Sequence, residues 1–184
     1  MSKNLFTERY SPMYFNTGRL VTKDELETLF EAARWAASSY NEQPWHFIYA
    51  GRDQLEQFNA LLSVLNEYNQ GWASSASVLL VAVAAENLQQ TGKPNGYALY
   101  DTGQAVAQMV LQASMMGLQG HQMGGFDKEK ARKELNIPEG YQPVAAIAIG
   151  EPAPLKEIPQ EFAERANEKR QRKPLSDFTH QGRF

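Results

Sequence analysis

Polar chemistry in this chain concentrates in three places. The first is Ser38-Ser39-Tyr40-Asn41-Glu42-Gln43-Pro44-Trp45-His46-Phe47. It combines small hydroxyls, carboxamides and aromatic residues. A carboxamide both donates and accepts hydrogen bonds, so such a stretch can hold the polar edge of a planar heterocycle. The plainer alternative is a helix C-terminus followed by a turn. The second place is Gly124-Gly125. The missing Cβ lets backbone approach a flat ligand closely, although a Gly-Gly pair is by itself an ordinary turn. The third is the set Arg9, Arg170 and Arg172. Arginine presents a planar fork matched to phosphate oxygens. These arginines act together only if folding joins the two ends of the chain; taken singly they read as solvated surface.

Other chemistries are excluded or unsupported. There is no cysteine, hence no disulfide, thiolate metal site or cysteine nucleophile. No Gly-x-Ser-x-Gly elbow marks a serine hydrolase. The glycine-rich fingerprints for dinucleotides and nucleotide phosphates are also missing. His46 and His121 lack a second ligand at metal spacing. His121, just before the Gly-Gly pair, is a candidate for lining a substrate cavity, with a satisfied structural histidine as the alternative. The net charge of -3 gives no reason to expect nucleic acid or a membrane surface as partner. No apolar run reaches spanning length, and the start, with Lys3, Glu8 and Arg9, does not read as a signal peptide. A cytoplasmic protein acting on small molecules is the expectation.

The elements that must position these residues follow from patterning. A chain of 184 residues suits one domain with a substantial core. Residues 1–20 read as an irregular arm whose Phe6, Tyr10, Tyr14 and Phe15 must dock on the body or on a second subunit. Thr22 and Glu25 form a capping box. Leu26, Leu29, Phe30, Ala33 and Ala37 then make an apolar helical stripe that delivers the Ser38–Trp45 connection. Asp53 and Glu56 repeat the capping logic for a helix burying Leu55, Phe58, Leu61, Leu62 and Leu65. Residues 66–75 read as loop or frayed helix. The continuous apolar run Val78–Ala85 predicts a strand buried on both faces. Residues 97–116 predict a long helix ending at Gly117. It is apolar most of the way round, so it belongs in a core or at a subunit interface. Asp101 lies in its first turn, favourably placed for the helix dipole. A short strand or loop follows over 118–125, then a helix capped by Asp127, a turn at Pro138-Glu139-Gly140 and a buried strand over 144–150. Residues 155–184 are too polar to fold alone and predict an arm or lid. Strands separated by helices give an α/β or α+β layer.

Four ordered stretches resemble the nitroreductase family of FMN-dependent, homodimeric flavoproteins. These are Arg9-Tyr10-Ser11; the serines before Asn41-Glu42-Gln43-Pro44-Trp45; Met123-Gly124-Gly125-Phe126-Asp127 with its downstream strand; and Arg170-Gln171-Arg172-Lys173-Pro174-Leu175. The resemblance covers nearly the whole chain. It implies an α+β fold with a mixed, largely antiparallel sheet flanked by helices, and a homodimer with the long central helix at its interface. It implies a single FMN-binding domain over 1–184 with FMN sites at the subunit interface.

By the same resemblance, Arg9, Ser11, Arg170 and Arg172 surround the phosphate and ribityl chain, with Lys173 as substitute if the register shifts by one, and Tyr10 belongs to the cofactor-binding set. Met13 stands where relatives commonly carry a second basic residue. Ser38, Ser39 and Asn41 reach FMN from the other subunit, and Gln43 supports their loop. Ala37 stands where family members often have proline. Asn69 approaches the flavin pyrimidine ring or, alternatively, caps a loop. Gln122, Met123, Gly124 and Gly125 line the flavin edge that carries N5. The implied activity is hydride transfer from NADH or NADPH through the flavin to a nitroaromatic, quinone or similar acceptor, with no side-chain acid or base required. The alternatives are a module that stores or senses FMN with little turnover, and a structural α+β homodimer with an empty site.

Overall fold

The apolar run from Val78 to Ala85 forms a strand buried on both faces, around which the other elements are arranged. The computed structural model describes residues 4–166 and 168–184. In chain order the elements are α1 (Leu5–Glu8), α2 (Lys23–Arg34), β1 (Trp45–Gly51), α3 (Leu55–Ser63), α4 (Glu67–Ala73), β2 (Val78–Ala85), α5 (Ala98–Met115), β3 (Gln119–Met123), α6 (Lys128–Glu134), β4 (Tyr141–Gly150) and α7 (Gln160–Ala166). The sheet has order β1-β2-β4-β3. All its pairings among the described residues are antiparallel.

Strand alternation divides the core into two layers. Leu79, Val81 and Val83 face Phe15, Phe58, Leu61 and Trp72. Val78, Leu80 and Ala82 face α2 and α5 through Leu29, Ala33, Val106, Met109 and Val110. Each buried leucine or valine contributes about 1.5–3 kcal/mol of transfer free energy, which is why β2 tolerates no polar face. Pro143 lies in β4 beyond the reach of β3, which pairs only with Ala146–Gly150. Its missing N–H therefore costs no ladder bond on that side.

Local signals that close on themselves are realised. The Thr22–Glu25 capping box starts α2. Asp127 accepts from the Lys130 N–H at the start of α6. Gly117 ends α5 with φ 76°. Other expectations need correction. The N-terminal arm contains one helical turn, α1, and its Phe6 is exposed while Phe15 is buried. Asp53 does not cap α3. The residue before that helix is Gln54, whose side chain instead accepts from the Gly51 N–H at 3.1 Å. Leu55 is therefore exposed rather than core. Residues 67–73 form a regular helix, because Asn66 caps it by accepting from the Asn69 N–H. Ala37 falls beyond α2 and is exposed, whereas Ala36 is buried. In the C-terminal arm, α7 docks through the buried Phe162, and residues 168–184 lie exposed. Among the described residues, no helix is long and apolar enough to cross a membrane.

Candidate FMN-binding site

The two ends of the chain meet in one cleft. Arg170 donates to the carbonyls of Arg9 at 2.6 Å and Thr7 at 2.5 Å. Its guanidinium lies 5.9 Å from the centre of the Tyr10 ring. The cleft has a volume of about 680 Å³ and is lined by Arg9, Tyr10, Ser11, Met13, Arg170 and Arg172, among others. That size falls within the usual range for small-molecule sites, about 300–1,000 Å³. An adjoining recess of about 620 Å³ shares Ser11, Met13 and Arg170 and adds His121. Met13 is buried against the core, so it forms cleft floor rather than a polar contact.

The charges on the described residues lining this cleft are mostly positive, with Glu168 the one carboxylate among them. None of the ion pairs among the described residues involves Arg9, Arg170 or Arg172. Burial lowers the pKa of Arg9, and the neighbouring Arg170 and Arg172 charges lower it further. A guanidinium disfavoured by its own neighbours is a site prepared for an anion. Burial raises the Tyr10 hydroxyl pKa against the opposing Arg170 charge, so it stays a neutral donor.

The arm carrying Arg9 is fixed by the body. The Tyr10 N–H donates to Gln119 Oε1 at 3.0 Å, and Gln119 Nε2 donates to Ser114 Oγ at 3.2 Å. The Phe15 N–H donates to the buried Ser75 hydroxyl. His121 Nδ1 lies 2.7 Å from the Pro12 carbonyl, which can only accept; Nδ1 therefore carries the proton. His121 thus lines the adjoining recess and also secures the arm that borders the cleft.

The Gly124-Gly125 turn lies at the end of β3 and is held by α4. Gly125 O accepts from the Asn69 side chain at 3.0 Å and from the Asn66 N–H at 3.0 Å. Asn69 Oδ1 accepts from Trp72 Nε1 at 3.2 Å. Asn69 is therefore a helix residue that fastens the glycine turn, not a loop cap. A Cβ on Gly125 would strike the Asn66 and Asn69 carboxamides, whereas one on Gly124 would meet nothing within 4 Å. Gly124 is the glycine open to a ligand. Met123 is buried, and Gln122 is exposed on the opposite face of the strand.

The Ser38–Gln43 connection is elsewhere, at the head of α5. The Ser39 N–H donates to Asp101 Oδ2 at 2.9 Å, and Asp101 is only 2% exposed. Ser38 Oγ accepts from the Gln43 N–H at 3.0 Å. Gln43 Nε2 donates to the Asn41 carbonyl at 3.2 Å. Tyr40, Asn41 and Gln43 adopt φ of 53°, 57° and 49°. Such left-handed backbone is unfavourable for tyrosine and glutamine and persists where surrounding contacts impose it. Asp101, which holds the Ser38–Gln43 connection, and Ser114, which through Gln119 holds the Arg9 arm, stand at opposite ends of α5, roughly 20 Å apart at 1.5 Å per residue. One chain does not bring the connection and the arginine cleft together.

Asp101, Gln119, Trp72 and the Pro12 carbonyl carry positioning roles that sequence reasoning did not assign. Asp101 offered one signal, an acidic residue on an otherwise apolar helix. His46 lies in β1 against the Tyr141 ring, away from the cleft. Among the described residues, no group of three or more His, Cys, Asp or Glu is placed to hold a metal ion.

Comparison with known proteins identifies the family and the fold. The Nitroreductase family profile matches residues 6–151. An oxygen-insensitive NADPH nitroreductase of Helicobacter pylori J99 is 30% identical, the alignment covering 80% of this chain and 86% of that protein. The solved structure of an oxidoreductase containing FMN superposes with TM-score 0.92 at 36% identity, covering 100% of this chain and 93% of the other. A nitroreductase family protein of Clostridium difficile 630 shares the fold, with TM-score 0.76 at 23% identity over 98% of this chain and 97% of its own.

Proposed function

The chain belongs to the nitroreductase family, and on that premise we propose an FMN-dependent oxidoreductase. It takes reducing equivalents from NADH or NADPH and delivers them to a nitroaromatic, quinone or similar acceptor. It works as a cytoplasmic homodimer built from a single domain over 1–184. The observation that carries this reading is the cleft in which Arg9, Arg170 and Arg172 converge without a carboxylate ion pair.

The residues present suit FMN. Its phosphate is close to a dianion and asks for several strong donors. Arg9, Ser11, Arg170 and Arg172 would hold it, with Tyr10 beside the ribityl chain. Gly124 and Gln122 would border the flavin ring, with Gly125 and Met123 shaping the backbone beneath. FMN held there would supply the two-electron redox chemistry between the nicotinamide and the acceptor. The protein's own part is to anchor the phosphate, orient the ring and exclude water.

Dimerisation completes the site. Along α5, Leu99, Gly103, Ala107, Leu111 and Met115 recur every four residues. Leu99, Gly103, Ala107 and Met115 are exposed and Leu111 half-buried, which leaves an apolar face open. Around the head of α5, Trp35, Tyr40, Tyr97 and Tyr100 are 72%, 88%, 59% and 69% exposed. So large an aromatic patch favours association. A two-fold pairing of α5 with its copy runs the helices past one another. Such a pairing would bring Ser38, Ser39 and Asn41 of one subunit toward the arginine cleft of the other. Beyond Arg172, which lines the cleft, the exposed end of the arm with Leu175 and Phe178 would be available to embrace the partner.

The deciding experiment is the absorption spectrum of purified protein before and after anaerobic addition of NADH or NADPH. Flavin bands that bleach, and return when a nitroaromatic or quinone is added, are the expected result. Bands that persist with both donors would favour a storage or sensing module. Failure to take up FMN would overturn the reading.

A further inference from the structure

We propose that Arg165, on α7, is a further ligand of the phosphate monoester in the Arg9–Arg170 cleft. The inference rests on the FMN reading above and adds a residue from an element that none of the sequence motifs includes.

The placement of Arg165 follows from how α7 docks. Phe162 is 5% exposed and meets Tyr68 edge-on, with ring centres 6.1 Å apart. It fills a notch left by Gly71, where an added Cβ would lie 3.2 Å from the Phe162 ring. Residues three apart on a helix share a face, so fixing Phe162 fixes the direction of Arg165. The Arg165 guanidinium lies 5.9 Å from the centre of the Tyr68 ring. A cation held against an aromatic face is pre-positioned, and its fork remains available for hydrogen bonds.

Arg165 borders both the cleft and its adjoining recess, as do Ser11 and Arg170. Its charge reaches His121 together with that of Arg9, both disfavouring the imidazolium. Two cations from distant parts of the chain therefore converge on one space. None of the ion pairs among the described residues involves Arg165. Glu168 also borders both spaces and would repel a phosphate. A phosphate monoester entering there meets four guanidinium groups, from Arg9, Arg165, Arg170 and Arg172, against one carboxylate. Riboflavin, which lacks the phosphate, gains nothing from Arg165.

The test compares FMN with riboflavin by quenching of flavin fluorescence on the full-length apoprotein. Wild-type protein should prefer FMN. Arg165→Gln should weaken FMN about tenfold, the scale of one lost charge-assisted contact, and leave riboflavin within about twofold. Phe162→Ala should reproduce that selectivity by loosening α7, and Glu168→Gln should tighten FMN alone. An Arg165→Gln protein with unchanged FMN affinity, or with equal losses for both flavins, overturns the inference. So does an altered NADPH requirement with FMN affinity intact, which would assign Arg165 to the electron donor. Wild-type protein that binds neither flavin overturns the FMN reading itself, a distinct result. Arg165 is exposed, so thermal melting of the glutamine variant should match wild type and keep the affinity comparison interpretable.

Discussion

The Trp72 indole and the His121 imidazole are stacked, with ring centres 4.4 Å apart and planes 26° from parallel. Trp72 is fully buried in α4. Its Nε1–H goes to Asn69, whose side chain holds Gly125, while His121 holds the Pro12 carbonyl. One stacked pair thereby joins the glycine turn at the end of β3 to the arm that carries Arg9 and Ser11. The glycine turn and the arm are both braced against Trp72 of α4.

This pair predicts a pH dependence. The His121 pKa is lowered from 6.5, chiefly by burial, with Arg165 and Arg9 adding to the shift and the Pro12 hydrogen bond opposing it. Below that ordinary value the unfolded chain binds a proton that the folded chain resists, so stability falls as pH falls. His121→Asn retains an N–H for Pro12 and does not titrate. Denaturant melts of flavin-free protein between pH 7 and pH 5 should show wild type losing ground to the variant. His46, whose pKa is also lowered by burial, contributes equally to both proteins. Parallel pH profiles would contradict the assignment.

Asp101 should govern the Ser38–Gln43 connection. In Asp101→Ala the half-buried Ser39 N–H loses its acceptor, at about 0.5–1.5 kcal/mol for one net hydrogen bond. Asp101→Asn keeps an acceptor and should lose less. The thermal midpoint should fall in the order wild type, asparagine, alanine, with FMN affinity following. An alanine variant with wild-type melting and affinity would show that the loop holds its left-handed residues by itself.

The adjacent glycines should separate stability from ligand binding. Gly125→Ala drives a methyl into the Asn66 and Asn69 carboxamides and should cost about 1–3 kcal/mol in urea melts. Gly124→Ala has open space and should melt like wild type while weakening FMN, because its methyl points into room the flavin would use. Identical behaviour of the two variants would contradict the division of roles.

The open face of α5 should set the oligomeric state. Ala107→Arg adds a charge at the centre of the Leu99–Met115 stripe. Sedimentation should show a dimer for wild type and a monomer for the variant, and FMN affinity should fall although Ala107 lies outside the cleft residues. A variant that remains dimeric would place the interface on another surface.

The sequence alone determined the features whose partners lie within a few residues. The Thr22–Glu25 box, the Asp127 cap, the Gly117 terminus and the doubly buried run of β2 all rest on local hydrogen bonds or on an unbroken apolar run, and all were legible. The motif stretches also named Arg9, Tyr10, Ser11, Met13, Arg170 and Arg172, which line one cleft. Where two local outcomes competed, sequence could not rank them: Asp53 looked like a cap, but Gln54 took the Gly51 N–H, and Asn66 turned what read as loop or frayed helix into the regular α4. Tertiary structure alone decided which residues act together. Arg9 and Arg170 are 161 residues apart in sequence and share a hydrogen bond. Asp101, Trp72 and His121 acquire their roles from neighbours on other elements. Those contacts depend on how helices seat on the sheet, a property of packed volume rather than of any short stretch of chain.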